Sequence, residues 1–245
     1  MKQLKERRRS LGLKKFFKLS LLTILVSCAA ENKPEVNYAE EFKSILAAFE
    51  SSSILDLENA YFEKEDFLEA YLEQLDSQKN YFSQNDVNLI RDFNEENKDI
   101  FLTLNLATNS FYDIYEESLR VRKSLLNKHK FDFEKIEYVG LENRDDYFNN
   151  EDERKDFYRK IVKNGLLNLL LEDENINEAK NIINKRYSDR ISYIKKTRSE
   201  DKFSVLANNF LSLIDPHATY FSDRDLDDWN LRMNLSFEGI GAVLS

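Results

Sequence analysis

Only five glycines and two prolines punctuate 245 residues. At about 3%, against a usual level of roughly 12%, this chain lacks the residues that sheet-rich domains spend on tight turns. Long helices joined by short polar links need far fewer of them, so the composition points to a mainly α fold. Hydrophobic residues make up 42% and aromatics 13% of the chain, enough for a packed core and too much for a disordered acidic chain. One or two helical domains are expected.

Charge is distributed unevenly. Lys2, Lys5, Arg7, Arg8, Arg9, Lys14, Lys15 and Lys18 crowd the N-terminus against Glu6 alone, although the whole chain is −9. An apolar run, Leu19 to Val26, follows, and then the small residues Ser27-Cys28-Ala29-Ala30. Basic, apolar and small in that order is an export signal. Its apolar part is shorter than the roughly 20 residues a membrane-spanning helix needs. Cys28 is the single cysteine, and Leu25-Val26-Ser27-Cys28 resembles a bacterial lipobox, in which cleavage leaves a diacylated cysteine at the new N-terminus. Two acyl chains suffice for stable anchoring. Arg8-Arg9 also suggests a twin-arginine signal, but the rest of that motif is poor. The expected boundaries are a signal peptide over 1–27, a lipidated tether over 28–37, a helical domain over 38–235 and the start of a further domain over 236–245. Ala29 and Ala30, with no Asp after Cys28, favour the outer membrane. Removing 1–27 leaves 28 basic and 44 acidic residues, a body too acidic to track phosphates, so nucleic acid is not an expected partner.

Helical spacing carries most of the remainder. Phe67, Leu68, Tyr71, Leu72 and Leu75 share one face of a helix within 64–76. Gln78–Phe82 breaks that pattern, and Ser83 with Asp86 forms a capping pair for the next helix. Between Asp99 and Asn127 there is no Gly or Pro. There Ile100, Leu104, Ala107, Phe111, Ile114, Ser118, Val121 and Leu125 recur at spacings of four and three, a heptad seam. With fewer than four heptads and Ser118 in the seam, it fits an arm of a long helical hairpin in a bundle better than a free coiled coil. Phe131–Asn150 reads as a loop excursion. Helices are predicted near Glu151–Leu171 and Ile176–Arg198, and another with Ser199 as its cap, Glu200 and Asp201 in its first turn, and Phe203, Leu206, Phe210, Leu211 and Ile214 buried. Asp215-Pro216 ends it. A short helix from about Asp223 to Asn234 precedes a turn and a short β segment over Ser236–Ser245, whose exposed strand edge calls for more protein to cover it.

The chemistry is sparse. His129 and His217 are the only histidines and stand far apart, and no second cysteine exists, so no metal site is expected. No Gly-x-Ser-x-Gly elbow is present for a Ser/His/Asp triad. Ser192-Tyr193-Ile194-Lys195 and Ser199-Glu200-Asp201-Lys202 have the spacing of a Ser/Lys dyad, yet neither is accompanied by Lys-Thr-Gly. Asp223, Asp225 and Asp227 imitate a calcium loop, but Asp228 and Asn234 stand where Gly and Glu are required, so an acidic helix start is preferred. Gly239-Ile240-Gly241 lacks the third glycine of a dinucleotide fingerprint. No cofactor is expected.

Three stretches carry a resemblance. They are Ser199-Glu200-Asp201-Lys202-Phe203; Ile214-Asp215-Pro216-His217-Ala218-Thr219-Tyr220-Phe221-Ser222; and Met233-Asn234-Leu235-Ser236-Phe237-Glu238-Gly239-Ile240-Gly241-Ala242-Val243-Leu244. Together they resemble the tail-specific, or carboxyl-terminal processing, serine proteases, where such stretches lead into a PDZ domain. Upstream, Tyr71–Asp76 with Tyr81-Phe82-Ser83 and Asp86, and Asn184-Lys185-Arg186-Tyr187, fit the same family in order and spacing. Ala218 stands where many members carry Thr or His. The resemblance implies a helical N-terminal domain, then a PDZ domain that captures substrate C-termini, then a core with a Ser nucleophile and a Lys base. No catalytic position falls within these residues, so the chain alone is expected to be inactive. Asp215, Pro216 and His217 are assigned a structural role at the helix end, with Glu238, Gly239 and Gly241 belonging to the family motif.

On that resemblance the domain gates or positions proteins with unstructured C-terminal tails for periplasmic proteolysis, with an adaptor lipoprotein as a further partner. The competing reading is a lipid-anchored helical binding module without catalysis. A stand-alone peptidase using Ser192 or Ser199 is the third.

Overall fold

A computed structural model describes residues 37–52, 65–139, 144–172 and 175–233. The expected signal peptide, Cys28, the expected tether up to residue 36 and the expected β segment with Glu238, Gly239 and Gly241 lie outside them. The chain divides into two units, 1–41 and 42–245. In the first, the Asn37 side chain accepts the N–H of Ala39 at 3.2 Å and opens a helix.

Eight helices are present among the described residues: α1 Tyr38–Ser52, α2 Glu65–Leu75, α3 Gln84–Asn97, α4 Ile100–Lys128, α5 Glu151–Leu171, α6 Ile176–Lys196, α7 Ser199–Ile214 and α8 Asp223–Met233. The fold is mainly α. Capping explains most of the starts. Ser83 and Asp86 cap α3 reciprocally, the Ser83 N–H donating to Asp86 Oδ2 at 2.8 Å and the Asp86 N–H to Ser83 Oγ at 3.3 Å. Asp99, Asn150 and Asn175 each accept first-turn N–H groups of α4, α5 and α6. Only Lys98, with φ 53°, separates α3 from the α4 cap, and its left-handed conformation makes that corner tight.

One cap differs from expectation. Ser199 is the first residue of α7, and the cap position belongs to Arg198. Arg198 offers no acceptor, so the Asp201 carboxylate does the work from inside the first turn, accepting the Arg198 N–H at 3.1 Å and its guanidinium at 2.8 Å. Acidic residues near the positive helix end substitute for a side-chain cap.

α4, 29 residues long, is the axis of the bundle, packing against α2, α3, α5, α6 and α7. Having neighbours on several sides widens its buried stripe beyond the heptad seam. Leu104, Ala107 and Ser118 are buried as the seam requires, but so are Thr103, Thr108, Leu119 and Leu126 beside them. Its long antiparallel partner is α6, not the next helix in sequence: Lys123 donates to Ser188 and Asn127 to Asn184, so the two run in opposite directions. Towards the N-terminal end of α4 lies an aromatic core in which Phe42, Phe67 and Phe101 surround α7, the Phe42 and Phe210 rings meeting at 4.8 Å. Towards its C-terminal end Leu126, Val162, Leu166, Leu169, Ala179 and Ile183 join α4, α5 and α6.

Candidate functional site at the α7–α8 junction

Phe203, Leu206, Phe210 and Leu211 are buried and fix α7 against the core, while Ile214 lies at its partly buried end. The chain leaves α7 at Asp215, and a turn closes as the Ala218 N–H donates to the Asp215 carbonyl at 3.0 Å. Asp215 Oδ1 accepts the His217 N–H at 2.9 Å and lies 3.1 Å from His217 Nδ1. The backbone N–H of His217 is the main reason that the Asp215 carboxyl is held below its ordinary pKa. The His217 ring itself is 92% exposed.

The loop then doubles back along α7. The Asn208 amide brackets Tyr220, accepting its N–H at 2.8 Å and donating to its carbonyl at 3.1 Å, and the Tyr220 ring meets Phe203 edge-on at 5.4 Å. Ser222 is buried and caps α8, its Oγ accepting the Asp225 N–H at 3.2 Å and donating to Asp225 Oδ2 at 2.7 Å. Asp225 is thereby a capping partner, and the run Asp223, Asp225, Asp227 is an acidic helix start. Arg224 reaches back to Asp201 at 3.2 Å. Asp201, held below its ordinary pKa first by its bond from Arg198 and in smaller part by Arg224, therefore ties the first turns of α7 and α8 together. Two stretches some twenty residues apart in sequence are thus one built junction. Nothing in the sequence pattern singled out Asn208 or Ser222; an amide and a hydroxyl gain their meaning only from the returning backbone.

What the junction presents is α8. None of its residues is buried, and Leu226, Trp229 and Met233 follow one another at helical spacing with Phe221 beside Trp229. The one hydroxyl–carboxylate pair described at the junction, Ser222 with Asp225, is the cap of α8. Neither Ser192 nor Ser199 hydrogen-bonds its lysine: Lys202 is turned to Asn109 at 3.1 Å and over the Tyr112 ring, and Lys195 points to solvent. His129 lies at the end of α4, remote from the His217 turn. Among the described residues no three His, Cys, Asp or Glu side chains gather as metal ligands.

The upstream stretch Tyr71–Asp86 is a knot that joins α2 to α3. Asp76, 2% exposed, accepts the N–H groups of Asn80, Tyr81 and Phe82 at 2.8, 2.9 and 2.9 Å. Burial raises its pKa against those three bonds. Arg154 from α5 reaches the Tyr81 carbonyl at 2.8 Å and Asp86 at 3.1 Å. The excursion 131–139 is held similarly: Glu137 binds Arg159 and, at 2.8 Å, the buried Lys163, and these bonds, that from Arg159 first, hold its carboxyl well below the usual range.

Residues 56–224, well over half of the chain, match the family model described as tail specific protease N-terminal domain. The chain belongs to that family. A tail-specific protease of Haemophilus influenzae is 29% identical over 188 residues, covering 74% of this chain and 27% of the relative. The chain thus spans about a quarter of the length of that protease. The family match reaches the start of α8 and takes in the Asp76 knot, the Asp201 tie and the Asp215–Ser222 turn. In this tail-specific protease N-terminal domain, the Asp201 tie and the Asp215–Ser222 turn set where α8 leaves the bundle.

Proposed function

We propose that this domain belongs to a periplasmic carboxyl-terminal processing serine endopeptidase, anchored through Cys28 in the outer membrane, and that it positions substrates with unstructured C-terminal tails for a PDZ domain and a Ser/Lys core that follow. The family match supports the protease setting. The observation that carries the positioning role is α8: capped and tied to α7, it holds Leu226, Trp229 and Met233 in solvent. An apolar stripe on a fixed helix is a surface awaiting a neighbour. The module that follows residue 233, with the tail it has captured, is that neighbour. An adaptor lipoprotein is a second partner of the domain. No helix among the described residues is long and apolar enough to cross a membrane.

The test is to purify the protein with whatever native reading frame follows Ser245 and to measure cleavage of a protein bearing an unstructured apolar tail. Cleavage is expected. Replacing Leu226, Trp229 and Met233 by Ala is expected to lower kcat/KM about tenfold, the scale of an apolar contact of 1–2 kcal/mol, without changing active-site labelling by a fluorophosphonate. A protein that ends there, cleaves nothing and takes no label returns the lipid-anchored binding module as the reading.

A further inference from the structure

A trough of about 740 Å³ runs between the antiparallel α4 and α6. Arg120, Lys123 and Lys128 line it from α4, and Lys195 and Lys196 from α6; no carboxylate lines it. In a chain of net charge −9, five cations facing one channel are out of keeping with the rest of the surface. Several basic groups elsewhere have carboxylate partners, among them Lys135, Lys160 and Lys163 with Glu137 or Asp156, and Arg91, Arg144, Arg154 and Arg159; what sets the trough apart is five cations in one lining that holds no carboxylate. In the trough Arg120 pairs with Glu116 and Lys123 donates to the Ser188 hydroxyl. Lys128, Lys195 and Lys196 form no ion pair among the described residues. Like charges gathered without partners repel one another and weaken the fold, which an anionic occupant would reverse.

The geometry points to an acidic, extended protein segment as that occupant. Arg120, Lys123 and Lys128 form a row along α4 that spans about 12 Å, and Lys195 and Lys196 stand side by side near its Arg120 end, because α6 runs antiparallel. That length matches about four residues of extended chain. Ser124 and Ser192 add hydroxyls to the lining, while Asn127 and Ser188 are engaged in the bonds that join α4 to α6. A bilayer surface fits less well, because the only apolar lining residue is Ile191 and the channel is concave. A nucleic acid would find no aromatic platform on which to stack. This inference rests on α4 and α6 alone and stands or falls separately from the protease reading.

The experiment is fluorescence anisotropy of a labelled peptide of about eight alternating glutamates and aspartates, titrated with the full chain. Saturable binding is expected, weakening as salt rises from about 50 to about 300 mM. Lys195→Glu with Lys196→Glu should raise Kd about tenfold or more with the far-UV circular dichroism unchanged, and Lys195→Gln with Lys196→Gln by a smaller factor. Reversing Lys155 and Arg232, exposed on α5 and α8, should change Kd less than about twofold. Equal binding of a glutamine peptide, indifference to both Lys195/Lys196 variants, complete displacement by inorganic phosphate at about 10 mM, or Lys196-dependent binding to anionic phospholipid vesicles without peptide binding would each overturn the proposal.

Discussion

Two carboxylates illustrate how differently a buried acid can serve this fold. Asp76 is raised in pKa by burial, yet it is the shared acceptor for three consecutive backbone N–H groups in the α2–α3 knot. Removing a buried acceptor leaves each donor with its full desolvation penalty. Asp76→Ala is therefore expected to cost about 3 kcal/mol, read as a lower urea midpoint with an unchanged slope. Glu137 works in the other direction. Its folded pKa is depressed by Arg159 and Lys163, so its contribution is present above the unfolded carboxylate value and lost as pH falls through the folded one. Glu137→Gln strips the buried Lys163 of its counter-charge. It should lower Tm clearly at pH 7, and the gap from the parent should close as pH falls from about 5 to about 2. A gap that stays constant over that window would show that the loss is packing, not charge. Asp76 adds the opposite slope: the native state holds its proton more tightly than the unfolded chain does, so this group alone favours the native state as pH falls.

At the scale of elements, periodicity made helices legible and tertiary contact decided their details. The five apolar residues on the predicted face of α2 are all buried, because an amphipathic helix against a single core leaves its pattern in the sequence. α4 obeyed the same rule incompletely, since a helix with neighbours on several sides buries Thr103 and Thr108 as well as Ser118 of the seam. Their hydroxyls bond back to backbone carbonyls of the preceding turn, and Thr108 also meets Tyr71 at 2.6 Å. The excursion 131–139 had no periodicity to read, and its order comes from Glu137, Arg159 and Lys163, whose partners are more than twenty residues distant. The junction was legible as a motif and opaque as a mechanism: Asp215 and His217 stood out, while Asn208 and Ser222 did not. Inside α5, Gly165 is a residue the helix does not need. A Cβ there would meet only Ile183 Cδ1 at 3.5 Å, an ordinary contact. Gly165→Ala is expected to raise stability by about 0.5–1 kcal/mol through lost unfolded-state freedom, visible as a Tm increase of a few degrees. A decrease would mean that α5 and α6 sit too close to admit a methyl group.

For the main bundle as a whole, the decisive feature is that α4 passes through both cores. Phe101 at its start touches Phe42 and Phe203, and Leu126 near its end is fully buried among α5 and α6. Neither core can be lost without unsupporting the helix that carries the other, so residues 65–214 should unfold as one cooperative unit. Leu126→Ala is expected to cost about 3 kcal/mol, and after that loss far-UV circular dichroism and near-UV tyrosine signals should still shift together along the urea axis. Separate transitions would show that α4 divides into independent halves. α8 is the exception, because it has no buried residue and hangs on Ser222 and Arg224. The single tryptophan, Trp229, lies on it and is 45% exposed. Its emission should therefore report α8 alone: red-shifted in the native chain, changing at lower urea than the other two probes, and shifting only slightly in Leu126→Ala. If the Trp229 curve instead coincides with the tyrosine curve, α8 is fastened to the bundle more tightly than its exposed stripe implies, and a surface committed to its own domain would not be free to meet a following one.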